Sequence, residues 1–158
     1  MTSAQKQNFT YRITQANKTG LVVILYDMAL VYMEDAKKAF AEENMTSYKN
    51  ALDKAKGCIE ELLHSLHPQY ELALHLQQLY YFYKRQLSTA AIRQQVELID
   101  PIYDMISQLK ESFEKIMEID TSESLMENSQ VVYAGLTYGK GSLNENLATG
   151  SSNRGFLV

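Results

Sequence analysis

Residues 17–43 read NKTGLVVILYDMALVYMEDAKKAFAEE, and this stretch decides the fold. Asn17 is a residue type that caps helix N-termini, because its side-chain oxygen accepts a hydrogen bond from a free amide of the first turn. No proline follows before Pro68, so a long helix can run from Asn17 to about Glu43. Apolar residues on one side of this helix recur at spacings of three and four, which predicts a core-facing surface. They are Val22, Leu25, Ala29, Tyr32, Met33, Ala36 and Phe40.

Two further helices are predicted directly downstream. The polar residues 44–47 break the first helix, and Thr46 or Ser47 is expected to cap the second. The second helix should end near Pro68, because the residue before a proline is pushed out of the helical region. The third helix is predicted from about Gln69 to Ala91. Its inward positions are expected to be Leu72, Leu76, Leu79, Tyr80, Tyr83, Leu87 and Ala90.

A fourth helix is predicted over about Gln95 to Ile119. Alternatively, Asp100 and Pro101 form a cap and a first helical position, which would leave 95–99 as a separate turn. Short connections make neighbouring helices antiparallel. The predicted fold is therefore all-α: an antiparallel up-and-down four-helix bundle.

The expected organisation is a short N-terminal arm at residues 1–16, the bundle at 17–119, and a linker with a glycine-rich tail at 120–158. Five of the seven glycines lie in this tail. The tail also keeps large apolar side chains, which a purely solvating segment would lack. A disordered appendage and a strap that covers apolar surface of the bundle both remain open. The candidate covering residues are Tyr133, Leu136, Tyr138, Leu143 and Leu147.

The first half of the long helix is apolar almost all round, beyond what three neighbours in a small bundle can bury. One interpretation is two flanking neighbours plus ordinary surface hydrophobes. The other is a cover supplied by the N-terminal arm, the tail or a partner. The third helix repeats the pattern more weakly. The candidate partner-binding residues are Val23, Ile24, Met28, Leu30 and Val31 on the long helix, and Leu74, Tyr81 and Phe82 on the third.

Composition excludes several functional classes. The net charge is -4, so no basic excess exists to neutralise the phosphates of a nucleic acid or an anionic membrane. The single cysteine, Cys58, can form no internal disulfide, which suits a reducing cytosol. The N-terminus lacks an apolar signal region, and the longest near-apolar run, 21–33, is interrupted by Asp27 and too short to span a bilayer. A cytoplasmic protein without membrane insertion is expected.

Motifs for catalysis or cofactor binding are weak. Glu61 and His64 match the Glu-x-x-His of di-iron bundles, but the neighbouring aliphatic residues take the inward face, so this pair should point outward. The run GLTYGKGS at 135–142 lacks the glycine spacing and the hydroxyl residue directly after lysine that a phosphate loop needs. No enzyme activity, cofactor or metal is expected.

The stretch TQANKTGLVVILYDMAL, residues 14–30, resembles the opening signature of the FliS family of flagellin-export chaperones, T-A-S-P-x-x-L-I-x-M-L-Y-D-G-A. Three more segments resemble the family in the same order: ALDKAKGCIEELLHSL at 51–66, a Leu-Tyr pair on the third helix, and LKESFEKI at 109–116. Together they cover about residues 9–118. Met28 departs from the family pattern, which has glycine there. The matching residues include Leu21, Leu25, Tyr26, Asp27, Leu79, Tyr80 and Arg85.

The resemblance implies a small, helical, cytoplasmic protein without enzymatic activity. It implies binding of the disordered C-terminal region of flagellin, which keeps flagellin from polymerising before export, and contact with the export apparatus is a further expectation. Such recognition lays amphipathic partner helices in apolar grooves. One alternative is an adaptor for another secretion substrate or for an anti-sigma factor. The other, less favoured, is a metal-binding or phosphotransfer helical bundle using His64 or His75.

Overall fold

A computed structural model describes residues 1–126. All regular secondary structure in this range is helical, which confirms the all-α prediction. The elements are α1 Ser3–Gln15, α2 Lys18–Ala41, α3 Met45–His64, α4 Glu71–Arg93, a 3-10 turn at Val96–Leu98, and α5 Ile99–Ile119. The predicted covering residues of the tail lie outside the described residues, so their role stays a prediction. They are Tyr133, Leu136, Tyr138, Leu143 and Leu147.

The segment predicted as a short N-terminal arm forms a helix, α1, which the apolar periodicity alone did not predict. Thr2 caps it: the Thr2 hydroxyl accepts a hydrogen bond from the Gln5 amide at 3.2 Å, and the Gln5 side chain accepts one from the Thr2 amide at 2.7 Å. This reciprocal pair is a capping box, which satisfies two amides that the first turn leaves without partners. The pattern Thr-x-x-Gln is therefore the local sequence signal for α1.

The start of α2 agrees with the prediction, whereas the cap of α3 differs from it. Asn17 caps α2, and its side-chain oxygen accepts a hydrogen bond from the Gly20 amide at 2.8 Å. The cap of α3 is Asn44, whose side chain accepts from the Ser47 amide at 3.0 Å. The prediction of Thr46 or Ser47 as that cap is wrong, because Asn44 takes the role one turn earlier.

Two details at α4 and α5 correct the sequence prediction. Leu72 was expected to point inward, but it lies in the first turn of α4 and is 62% exposed. The buried residue of this turn is the next one, Ala73, so Leu72 faces away from the core. The chain between α4 and α5 makes a separate turn, as one alternative predicted, but the cap that this alternative placed at Asp100 is wrong: α5 begins at Ile99 after Leu98, and Asp100 and Pro101 lie in its first turn.

Helix α2 is the central element: it packs on α3, on α5 and on α1. Two ion pairs join α2 to α5, Lys37 with Asp100 and Asp27 with Lys110. The partners follow opposite orders along the two helices, so α2 and α5 run antiparallel. The central position of α2 explains why its sequence is apolar over so much of its circumference.

The main core is built around four fully buried tyrosines, Tyr26, Tyr48, Tyr80 and Tyr83, set among aliphatic side chains. The hydroxyls of Tyr26 and Tyr80 form a hydrogen bond with each other, and the Tyr48 hydroxyl donates to the Ala90 carbonyl at 3.0 Å. Each hydroxyl therefore finds a partner, as a buried polar group must. Burial raises the pKa of Tyr26 and raises the pKa of Tyr80 to about 12.

These buried tyrosines predict alkaline unfolding. An unfolded tyrosine loses its proton near about pH 10, whereas the native core retains the protons of Tyr26 and Tyr80 to higher pH. The stability that their raised pKa provides is therefore complete below about pH 10 and is lost as the pH rises towards about 12. Urea midpoints measured from pH 8 upward should fall in this window.

The matched control is the double variant Tyr26→Phe, Tyr80→Phe. It removes the shared hydrogen bond without leaving one hydroxyl unpaired, and its midpoint should depend less steeply on alkaline pH. Equal slopes for the two proteins would contradict this explanation.

Candidate partner-binding groove

Helix α1 lies on the apolar flank of α2. Phe9, Ala16 and Ile24 are buried in this contact and form a small cluster separate from the main core. Ile24, which the sequence predicted as exposed surface for a partner, is only 4% exposed because α1 covers it. Among residues 1–126, the N-terminal segment is the cover of this flank. The half-buried side chains around the cluster are Met1, Ile13, Leu21, Met28 and Val31.

The other predicted partner-binding residues have different surroundings. Leu30 belongs to the main core, and Val23 is buried as well. On α4, Leu74 and Tyr81 are exposed. Phe82 is half-buried, and the Arg85 guanidinium lies 5.8 Å from the centre of its ring. The structure thus brings Ile24, Met28 and Val31 into one groove, which we call the α2 groove, and leaves the α4 residues outside it.

One edge of the α2 groove is charged. The Asp27 carboxylate accepts a hydrogen bond from the Arg12 guanidinium of α1 at 2.6 Å and pairs with the Lys110 ammonium of α5 at 2.6 Å. The hydrogen bond that the Lys110 ammonium donates to the Asp27 carboxylate is the largest cause of the raised pKa of Lys110. Arg12 also lies 5.4 Å from the centre of the Phe9 ring. An ion pair and apolar contacts therefore hold α1 against α2. The sequence analysis did not predict the role of Arg12.

The connection between α1 and α2 is fastened by the chain that follows α5. The Ala16 carbonyl accepts a hydrogen bond from the Leu125 amide at 2.9 Å, and the Asn17 side chain donates to the Ser122 carbonyl at 3.3 Å. The Thr19 hydroxyl donates to the Asp120 carboxylate. The C-terminal end of α1 is therefore anchored, while its body rests on α2.

Most residues of the matched signature serve the fold. Tyr26 and Tyr80 form the buried hydroxyl pair, and Leu25 packs against the main core. Leu21 packs against the small cluster under α1, and Leu79 is 36% exposed. Asp27 is different, because it supports no core contact and instead joins α1, α2 and α5 at the groove edge.

A second apolar opening lies at the end of α2 that follows Asn17. It is a cleft of about 550 Å³ between α2, the end of α3 and α5. Val22, Leu25 and Phe113 supply its apolar wall, and Leu125 lies at its edge. Its size suits one or two large apolar side chains rather than a whole helix.

The weak motif Glu61-x-x-His64 lies on the outer side of α3, as predicted. Both side chains are exposed, and the nearest acidic neighbour of His64 is Glu60 at 3.5 Å. Among residues 1–126 no three metal-ligating side chains converge. Within the same range, no helix combines the length and the apolarity that a bilayer crossing requires.

The chain matches the flagellar protein FliS family over residues 1–120, from before α1 to the end of α5. It belongs to the FliS family. FliS proteins are flagellar export chaperones that bind flagellin, and they are not enzymes. The match confirms the resemblance noted from the sequence and the chaperone class inferred from it. A search of curated proteins finds no match.

Proposed function

We propose that this FliS-family chain is a cytoplasmic chaperone that binds the C-terminal region of flagellin in the α2 groove. In the free protein, α1 occupies that groove. The observation that supports the proposal is the small cluster itself, where Phe9 and Ala16 of α1 bury Ile24 of α2. The groove thus accepts an amphipathic helix in the way that helix-in-groove recognition requires.

Helix α1 is suited to be a removable cover. It packs on α2 but not extensively on any other helix. Its apolar contact rests on a few side chains, chiefly Phe9, Ile13 and Ala16. While it is seated, it shields Ile24 and Met28 from water, which protects an unoccupied chaperone from aggregation. A flagellin helix with a broader apolar face would bury more surface than α1 and replace it.

Binding by this route explains chaperone action without nucleotide or chemistry. A terminal flagellin helix whose apolar face is buried on α2 has no free face for another flagellin, so polymerisation is prevented. Leu74, Tyr81 and Phe82 on α4 offer a second apolar strip for a neighbouring segment of the same partner. Contact with the export apparatus would follow once flagellin is bound.

The rival within the same class is an adaptor for another secretion substrate or for an anti-sigma factor. The α2 groove would take any amphipathic helix of matching shape, so the two are separated by the partner and not by the fold. Titration calorimetry with the flagellin C-terminal region decides between them, because a flagellin chaperone binds it stoichiometrically and an adaptor for another protein does not.

Loosening α1 should tighten flagellin binding. The change is Phe9→Ala, which removes the largest apolar side chain that holds α1 on α2. Apparent affinity falls by the fraction of time that the groove is covered, and a weakening of the cover by about 1.4 kcal/mol corresponds to a tenfold gain in affinity. The measurement is the dissociation constant for the flagellin C-terminal region by titration calorimetry.

The control is Gln7→Ala, on an exposed position of the same helix, which should leave affinity unchanged. Weaker binding by Phe9→Ala would show that α1 is part of the partner site and does not compete for it. Unchanged binding would place the partner outside the α2 groove.

A further inference from the structure

Asp27 at the edge of the α2 groove pairs with two cations, and only one of them would leave together with α1. Arg12 belongs to the cover, α1, whereas Lys110 belongs to α5. Lys110 is itself shared with Glu114, whose carboxylate lies 3.5 Å from its ammonium. With α1 in place the Asp27 side chain is only 18% exposed, and when α1 leaves, two carboxylates remain around one ammonium.

Because the negative charges then outnumber the positive ones, the open groove favours a partner that brings a cation as well as an apolar face. A partner helix that takes the place of α1 covers the Asp27 carboxylate again, and a covered carboxylate without its second hydrogen-bonded cation is destabilised because water can no longer replace that contact. An incoming helix that brings its own cation to the same place removes that penalty, and one without a cation does not. The α2 groove therefore distinguishes between apolar helices of similar shape.

The seated helix α1 shows the register that satisfies both requirements. Phe9 and Ile13 stand at i and i+4 of the helix and enter the apolar cluster, while Arg12 at i+3 reaches Asp27; Ala16, the extended C-cap residue, joins the cluster just after the helix ends. Residues three, four and seven apart share one face of a helix. The spacing of apolar and basic residues on α1 therefore indicates the spacing that a partner helix needs in order to bind this groove.

We propose that the α2 groove selects partner helices of the form apolar-x-x-Arg/Lys-apolar, in which the basic residue pairs with Asp27. This inference rests on the proposed function and deepens it, because it names the feature of the flagellin segment that the groove recognises. Asp27 is then a specificity-determining residue. In the free protein, Arg12 pairs with Asp27 in place of the basic residue of the partner.

The test compares Arg12→Gln with the double variant Arg12→Gln, Asp27→Asn. The single variant removes the ion pair of the cover and should bind the flagellin C-terminal region more tightly than the native chain. In that background the pair between α1 and α2 is already absent, so adding Asp27→Asn acts through the partner or through the Asp27–Lys110 pair. Thermal melting of the single and double variants measures the second contribution separately. The double variant should bind about three- to tenfold more weakly than the single variant, the range of a partly exposed ion pair.

The matched control is Arg12→Gln, Asp100→Asn. It removes an acidic residue of α5 that also pairs with a lysine of α2, but at an exposed position. This variant should bind as tightly as Arg12→Gln. The difference between the two double variants should shrink in about 1 M salt, where the screening length falls to about 3 Å.

The basic residue of the partner is then found by replacing each Arg and Lys of the flagellin fragment with Gln in turn. One replacement, in the predicted frame, should weaken binding to Arg12→Gln but not to the double variant with Asp27→Asn. Equal binding by the single and double variants, in fragments whose binding still requires Ile24, would overturn this inference alone. Binding that ignores Ile24 as well would overturn the proposed function.

Discussion

Replacement of Ile24 with Asp is expected to reduce the affinity for the flagellin C-terminal region by about a hundredfold. Ile24 is the most deeply covered side chain of the α2 groove at 4% exposure, so any helix that replaces α1 must bury it. Loss of the apolar contact costs about 1.5–3 kcal/mol, and a carboxylate under an apolar helix adds a further desolvation penalty. Calorimetric titration measures the loss.

The same substitution also releases α1, which alone would raise affinity. The apolar contact at position 24 is lost for the flagellin helix as well as for α1, however. We therefore expect the loss of affinity to exceed the gain from releasing α1. The control is Ile92→Asp on α4, where the native side chain is 79% exposed and lies outside the α2 groove. Its affinity should equal that of the native chain, and both variants should keep their helical circular dichroism. Native-like binding by Ile24→Asp would move the partner to another surface, such as the cleft at the end of α2.

How far the sequence determined the groove can be judged from α2. Its excess of apolar residues predicted that something must cover the flank, since a three-sided environment cannot bury a whole circumference. The same excess carried no information about the identity of the cover, because the N-terminal segment, the tail and a partner all bury apolar surface equally well. Within residues 1–126 the structure places Phe9 of the N-terminal segment over Ile24, whereas the tail lies outside the described residues.

Helix α1 escaped prediction for a physical reason. Few of its residues are apolar, and Phe9 and Ile13 are the helical residues that enter the small cluster, so the periodicity is weak. The stronger signal was local: Thr2 and Gln5 form a capping box, a pattern visible three residues apart in the sequence. Caps can therefore reveal helices that amphipathic patterns do not.

The charged edge of the groove could not have been predicted from spacing. Asp27 appeared to be one polar interruption in an apolar helix, and its partners Arg12 and Lys110 lie on two other helices. Only the arrangement of α1 and α5 on either side of α2 brings these charges together. In the same way, Leu72 fits the inward stripe of α4 by period, yet it is exposed because Ala73 takes the buried position of the first turn.

The second large effect is expected at Leu87 on α4. Leu87→Ala should lower the free energy of unfolding by about 2–5 kcal/mol, because the side chain is fully buried in the main core and its removal leaves a cavity. In a chain of this size each 1 kcal/mol shifts the melting temperature by about 2–4 °C, so a decrease of about 10 °C is expected. Thermal denaturation followed by circular dichroism measures it.

Ile92→Ala is the matched control, since it makes a comparable truncation on the same helix at a side chain that is 79% exposed. Its effect should stay within about 0.5 kcal/mol, the range of surface substitutions. If the two variants melt at the same temperature, α4 does not share the core with α2 and α3 as described. Below its melting temperature, Leu87→Ala should still bind the flagellin C-terminal region, because Leu87 lies in the main core and not in the α2 groove. Stability and recognition would then be separable, with the core of α2–α5 supplying the first and the flank beneath α1 the second.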